Sequence, residues 1–144
     1  MEWNVRINLT GAKSGRELVS EHLVDSFAMA RLLPVGCSVA DVGSGGGLPA
    51  IPLSILRPDL RLTMIEPRAK RVAFLRAVSH EFQLGLDILR CRSEAVPMAT
   101  FDACSSRATF PPEEWLQVGR SLAKDGGPVL IFANGPWAAA CQDA

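Results

Sequence analysis

Cys37-Ser38-Val39-Ala40-Asp41-Val42-Gly43-Ser44-Gly45-Gly46-Gly47 decides how the rest of the chain is read. A short apolar run, Cys37 to Val42, passes without a spacer into five residues of which four are glycine. Such a run reads as a buried strand, and the glycines as a tight turn out of it. Leu48 to Leu56 then reads as a helix. Pro49 and Pro52 fall in its first turn, where a missing N–H costs little because those donors have no intrahelical partner. Pro58 marks its end.

The same alternation runs outward in both directions. Leu60 to Ile65 reads as a second strand, Pro67 to Leu84 as a long helix closed by Gly85, and Leu86 to Cys91 as a third strand. Phe101 to Ser105, the helix Pro112 to Lys124, the turn Asp125-Gly126-Gly127 and the strand Val129 to Ala133 complete the pattern. On the N-terminal side, Met1 to Gly11 is irregular and Ser14-Gly15-Arg16-Glu17 fits a capping box. Val19, Leu23, Phe27 and Ala30 recur at helical spacing until Pro34-Val35-Gly36 stops them. Strands separated by helices predict right-handed crossovers and a three-layer α/β, Rossmann-like fold with a mainly parallel sheet of about five strands. The expected layout is one domain: 1–36 a leading segment and helix, 37–133 the core, 134–144 a tail.

Composition agrees with one packed core. The 144 residues are 48% hydrophobic and 21% charged, with formal net charge zero, which excludes a disordered or collagen-like chain. A balanced charge also argues against binding nucleic acid through overall positive excess, leaving local patches as the route. Cys37, Cys91, Cys104 and Cys141 form no C-x-x-C pair and the histidines are only His22 and His80, so no metal site is expected. No apolar stretch reaches the roughly 20 residues of a membrane span, and the N-terminus has no signal pattern. A cytoplasmic, reducing compartment is expected, with thiols as ordinary core residues.

In a doubly wound sheet, ligands bind beyond the carboxyl ends of the strands where the chain reverses direction, so the glycine turn is the expected site. Glu66 stands nineteen residues after Gly47, at the end of the second strand. A carboxylate there can accept hydrogen bonds from both hydroxyls of an adenosine ribose, each contributing roughly 1.5 to 3 kcal/mol. Dinucleotide and S-adenosylmethionine sites share this much. Gly45-Gly46-Gly47-Leu48-Pro49-Ala50 satisfies the G-x-G-x-x-A spacing of a pyrophosphate site, which leaves an NAD-binding oxidoreductase as one reading. Asp41, two residues before Gly43, points the other way: it would repel a pyrophosphate and could receive the α-amino group of a methionine moiety. A bare turn with no ligand is the plain alternative.

Five stretches carry a more specific signal. Trp3-Asn4-Val5-Arg6-Ile7-Asn8-Leu9-Thr10, His22-Leu23-Val24-Asp25-Ser26, Asp41 to Pro52, Lys70-Arg71-Val72-Ala73-Phe74-Leu75 and Ser106-Arg107-Ala108 occur in order across nearly the whole chain. Together they resemble the glucose-inhibited division protein B family, bacterial 16S rRNA methyltransferases that modify a guanine at N7 with S-adenosylmethionine. The resemblance implies a class I methyltransferase domain that binds S-adenosylmethionine and has 16S rRNA or the small ribosomal subunit as partner. It implies cofactor contacts at Asp41, Gly43, Gly45, Leu48, Glu66, Ser93, Glu94 and Arg107, the Ser93-Glu94 pair meeting the adenine ring. Asn8, His22 and Asp25 match motifs near the same cleft and are the catalytic candidates.

Relatives usually carry a helical segment before the Trp-Asn motif and a final strand pair after the fifth strand, and this chain departs from both expectations. A sheet ending at five strands exposes an edge, so a homodimer through that edge, or an S-adenosylmethionine-binding relative without catalytic activity, stands as an alternative. Ser44-Gly45-Gly46-Gly47 also has an extra glycine where relatives often carry Ala or Pro.

The implied reaction is an in-line displacement at carbon by a ring nitrogen whose lone pair is already unprotonated. No general base is needed, and orientation can contribute up to roughly 7 to 11 kcal/mol, with water exclusion helping. The chain offers no nucleophile–base pair. After the fourth strand it has Ser105-Ser106-Arg107-Ala108, where enzymes acting on exocyclic amines often have Asn-Pro-Pro-Tyr. Cys104, inside an apolar strand, reads as core and not as an attacking thiol. His80 reads as a helix surface residue, and Trp3 as a core cap in preference to a base-stacking ring. Arg68, Lys70 and Arg71 are the RNA-binding candidates, with Arg76, Arg90 and Arg92 nearby. An ordinary solvated helix face is the plain alternative for all of them.

Overall fold

The computed structural model describes residues 9, 11 and 14–132, and within that span it leaves the side chains of residues 18 and 20–22 undescribed. Expectations placed on Trp3, Asn8, Cys141 and residues 133–144 therefore lie outside the described residues, as does the side chain of His22.

The elements alternate as the sequence predicts: α1 (Gly15–Leu32), β1 (Ser38–Val42), α2 (Ala50–Leu56), β2 (Arg61–Ile65), α3 (Ala69–Glu81), β3 (Asp87–Leu89), a 3-10 turn (Ser93–Ala95), β4 (Ala103–Ser106), α4 (Pro112–Leu122) and β5 (Val129–Ile131). The five strands form one sheet in the order β3-β2-β1-β4-β5, every neighbouring pair parallel. From β1 the chain builds outward through β2 to β3 and then returns to β1's other side as β4. The switch point lies between β1 and β4, at the glycine turn.

Side chains alternate across the strands and sort into two layers. Val39, Leu62 and Ala103, neighbours in register, pack with Met29 and Leu33 of α1 and Leu53 of α2. Met64 lies on the same face and packs with Ala50 and Leu75, which places α3 there too. Ala40, Val42, Ile65 and Cys104 face the other way, onto Trp115 and Leu122 of α4. Burial on both faces is why these strands read as nearly unbroken apolar runs. Trp115 donates from Nε1 to the Leu130 carbonyl at 2.8 Å, tying α4 to β5. Arg57 donates to the carbonyls of Ala30, Leu33 and Pro34, tying the end of α2 to the end of α1.

Three expectations need correction. The core face of α1 is Ser26, Met29 and Leu33, whereas Val19 and Phe27 are more than half exposed. Apolar residues occur all round this helix, so their spacing alone did not single out the buried stripe. Second, α2 begins at Ala50, with Pro49 at the N-cap after a cis Leu48–Pro49 bond, so Leu48 belongs to the turn. Third, α3 is shorter than Pro67 to Leu84: the backbone leaves the helix at Phe82, and Gln83 and Gly85 take positive φ. Ser14 caps α1, accepting the Glu17 N–H at 3.2 Å, as the capping box predicts. Cys37 and Cys104 are buried core thiols; Cys91 is only half-buried, at the edge of a cavity.

Candidate functional site

The site is built where β1 and β2 end. Gly43 N–H donates to the Ile65 carbonyl at 2.8 Å and Gly47 N–H to the Ser44 carbonyl at 2.7 Å, so the turn stays attached to the sheet while curling into α2. Gly43 has φ +76°, and a Cβ there would overlap the Thr109 side chain. At Gly46 a Cβ would lie 2.7 Å from the Leu9 carbonyl oxygen. A glycine at this position thus leaves room for Leu9 against the turn.

Two buried carboxylates flank this turn. Asp41, at 2% exposure, accepts from Ser105 Oγ through Oδ1 at 3.1 Å, and the Ser44 hydroxyl donates to its backbone carbonyl at 2.7 Å. Among the described residues its Oδ2 has no hydrogen-bond partner. Burial pushes the Asp41 carboxyl up to about 6; the hydroxyls of Ser44 and Ser105 pull against that, and the charge of Glu66 adds to it. Glu66, also 2% exposed, accepts the Gly45 N–H at 3.0 Å through Oε2 and the Arg68 N–H at 2.9 Å through Oε1. Arg71 Nη1 stands 3.7 Å from Oε2.

Beside the turn lies a cavity of about 210 Å³, whose walls include Gly43, Ile65, Ser93, Glu94, Thr109 and Phe110. Ser93 is buried at the start of the 3-10 turn after β3 and donates to Glu94 Oε2 at 3.2 Å. Phe110 stacks on Trp115, ring centroids 5.9 Å apart, which anchors that wall to α4. Arg107 pairs with Asp25 of α1 at 3.2 Å, and Ser26 Oγ donates to the Pro49 carbonyl at 3.1 Å, which ties α1 to the end of the glycine turn.

Of the expected residues, Gly43, Ser93 and Glu94 line this cavity; Asp41, Gly45 and Glu66 lie at the glycine turn beside it, and Arg107 pairs with Asp25. Leu48 is set back in the turn, and Arg68 and Lys70 lie exposed at the start of α3. Ser105, Thr109 and Phe110 have no counterpart in the sequence reading. The first has a detectable signal, since parallel register sets it beside Asp41; the other two come to Gly43 only through a fold-back after β4, where Ala108 takes φ +53°. Cys104 is fully buried and burial pushes its thiol to about 12, which removes it as a nucleophile.

An adenosyl sulfonium carrying a free α-amino group fits these residues. The orphaned Asp41 Oδ2 is an acceptor awaiting a donor, and Glu66 retains lone pairs beyond its two N–H bonds. A pyrophosphate does not fit: two buried carboxylates flank the turn, and Pro49 and Pro52 remove N–H groups from the start of α2.

A family model described as "GidB: rRNA small subunit methyltransferase G" matches residues 1–139. The chain belongs to this family. Among its relatives, the "Ribosomal RNA small subunit methyltransferase G" of Anaeromyxobacter dehalogenans (strain 2CP-C) is 38% identical over 136 residues, and that of Xanthomonas campestris pv. campestris (strain B100) is 38% identical over 134. Each match covers 92% of this chain and 63% of the relative, so the chain spans less than two thirds of the length of these GidB proteins. Solved structures share the fold. A SAM-dependent methyltransferase from Aquifex aeolicus superposes with TM-score 0.67 at 19% identity, over 92% of this chain and 77% of that one. P. horikoshii TYW2 in complex with MeSAdo superposes with TM-score 0.66 at 18% identity, over 75% and 42%.

Proposed function

We propose that this chain is an S-adenosylmethionine-dependent methyltransferase that modifies N7 of a guanine in 16S rRNA of the small ribosomal subunit, working in the cytoplasm as a single cofactor-binding domain. One observation carries the reading: at the switch point of the sheet, a glycine turn is flanked by two buried carboxylates, and the oxygen of one has no partner. Glu66 would hold the ribose hydroxyls and Asp41 the α-amino group. Ser93 and Glu94 would meet the adenine edge, with Ile65 and Phe110 as apolar walls. When bound, the cofactor supplies an electrophilic methyl group.

The protein's own part is orientation and exclusion of water. Arg107, paired with Asp25, links the loop after β4 to α1, and His22 and Asn8 are the further catalytic candidates that the family motifs supply. Ser105 and Ser106 donate to groups of β1, so no hydroxyl of the fourth strand is set up as a base. This suits a ring nitrogen that needs no deprotonation. Exposed Arg68, Lys70, Arg90 and Arg92 follow the ends of β2 and β3, where RNA phosphates would approach. A homodimer through a sheet edge belongs to this reading, and sedimentation at graded concentrations would detect it.

Calorimetric titration with S-adenosylmethionine and with NAD tests the cofactor; binding of NAD alone would refute it. Single-turnover methylation of 30S-derived RNA, read by mass spectrometry, tests the reaction and separates an enzyme from a cofactor-binding relative without activity.

A further inference from the structure

We propose that Arg71 is a positioning residue for the ribose-binding carboxylate, acting through Glu66 and not through RNA. This rests on the cofactor reading above. Arg68, Lys70 and Arg71 are adjacent in sequence, yet the fold separates them. Arg68 and Lys70 are exposed, the disposition that a phosphate contact needs. Arg71, in the first turn of α3, is only 27% exposed and is turned inward, with Nη1 3.7 Å from Glu66 Oε2. Its guanidinium also lies along the turn: a Cβ built on Gly45 would meet Nη1 at 3.5 Å and Cζ at 3.9 Å.

Glu66 needs such a partner. A carboxylate with 2% exposure loses nearly all its hydration, and neighbouring groups must replace that water. The N–H groups of Gly45 and Arg68 supply one hydrogen bond to each oxygen. Arg71 supplies the countercharge on the Gly45 side. Two N–H bonds leave lone pairs on both oxygens of a carboxylate that offers about four. The carboxylate is thus fixed in one orientation while it can still accept a pair of neighbouring hydroxyls.

The test titrates the whole chain by calorimetry, without RNA, against S-adenosylhomocysteine and against an analogue lacking both ribose hydroxyls. Arg71→Ala is expected to weaken S-adenosylhomocysteine binding about fivefold to tenfold, a loss between those of exposed and buried charge pairs. Its affinity for the hydroxyl-free analogue should match that of the unaltered protein. Arg71→Lys, which keeps the charge but not the planar fork, should fall between the two. It also serves if the alanine variant does not fold, which thermal unfolding will show. Equal losses for both ligands would mean a collapsed turn and overturn the proposal. Unchanged S-adenosylhomocysteine binding would overturn it equally, and weakened retention of 30S-derived RNA in a parallel filter-binding assay would then assign Arg71 to phosphate contact. If the unaltered protein binds no S-adenosylhomocysteine at all, the cofactor reading itself fails, and this inference fails with it.

Discussion

Asp41 should make the fold less stable as the pH rises through the weakly acidic range, and Asp41→Asn should abolish that loss. Burial lifts its carboxyl from the ordinary 3.8 to about 6. Between these values the unfolded chain has released the proton and the folded chain keeps it, so stability falls as pH increases across the window. A rise from 3.8 to about 6, at roughly 1.4 kcal/mol for each pH unit, sets the penalty at about 3 kcal/mol above pH 6 and near zero below pH 4. The cause is structural: Oδ1 has Ser105, while Oδ2 has no partner and no water-facing surface. Asparagine keeps the shape and the Ser105 contact without the charge. Urea unfolding of both proteins at intervals from pH 4 to 7.5 checks this, because other titrating groups cancel in the difference. The difference should grow by about 3 kcal/mol in favour of the variant as pH increases. A difference that stays flat within 1 kcal/mol, or one that grows the other way, would refute the assignment of a strained buried carboxylate.

Other consequences concern the ligand and the scaffold. If the α-amino group docks on Asp41, affinity for S-adenosylhomocysteine should fall up to roughly tenfold per pH unit below about pH 6, as protonation competes with the ammonium. Calorimetry at pH 5 to 7.5 measures this, and Asp41→Asn should flatten it. Glu66→Ala should weaken S-adenosylmethionine binding by about tenfold or more; unchanged affinity would defeat the ribose assignment. Gly43→Ala places a Cβ at φ +76° against Thr109, and should cost about 2 to 3 kcal/mol in denaturant unfolding. Trp115→Phe removes the Nε1 bond to Leu130 and should cost about 1 to 3 kcal/mol by the same measurement.

Much of the fold was legible because its signals are local. A parallel strand buried on both faces writes itself as an apolar run, and Gly and Pro punctuate the chain where backbone geometry demands them. Hence β1, the glycine turn and Glu66 were placed correctly by reading alone. Helix α1 was located correctly but with a misassigned face: Val19 and Phe27 share the apparent stripe, yet Ser26, Met29 and Leu33 meet the sheet. On a helix with apolar residues all round, only docking selects the buried face.

The sequence by itself determined the alternation of strands and helices, the turn beyond β1 and the two acids that bracket it, because each depends on residues a few positions apart. Tertiary structure alone decided that Ser105 donates to the Asp41 carboxylate, that Thr109 closes on Gly43, and that Arg107 meets Asp25. It also turned Arg71 inward while its neighbours stayed outside. Ser105, Thr109 and Arg107 meet partners more than sixty positions away, and Arg71 turns on which side of α3 faces Glu66. Distances of that kind arise only when parallel crossovers close the sheet, and no periodicity along the chain encodes them.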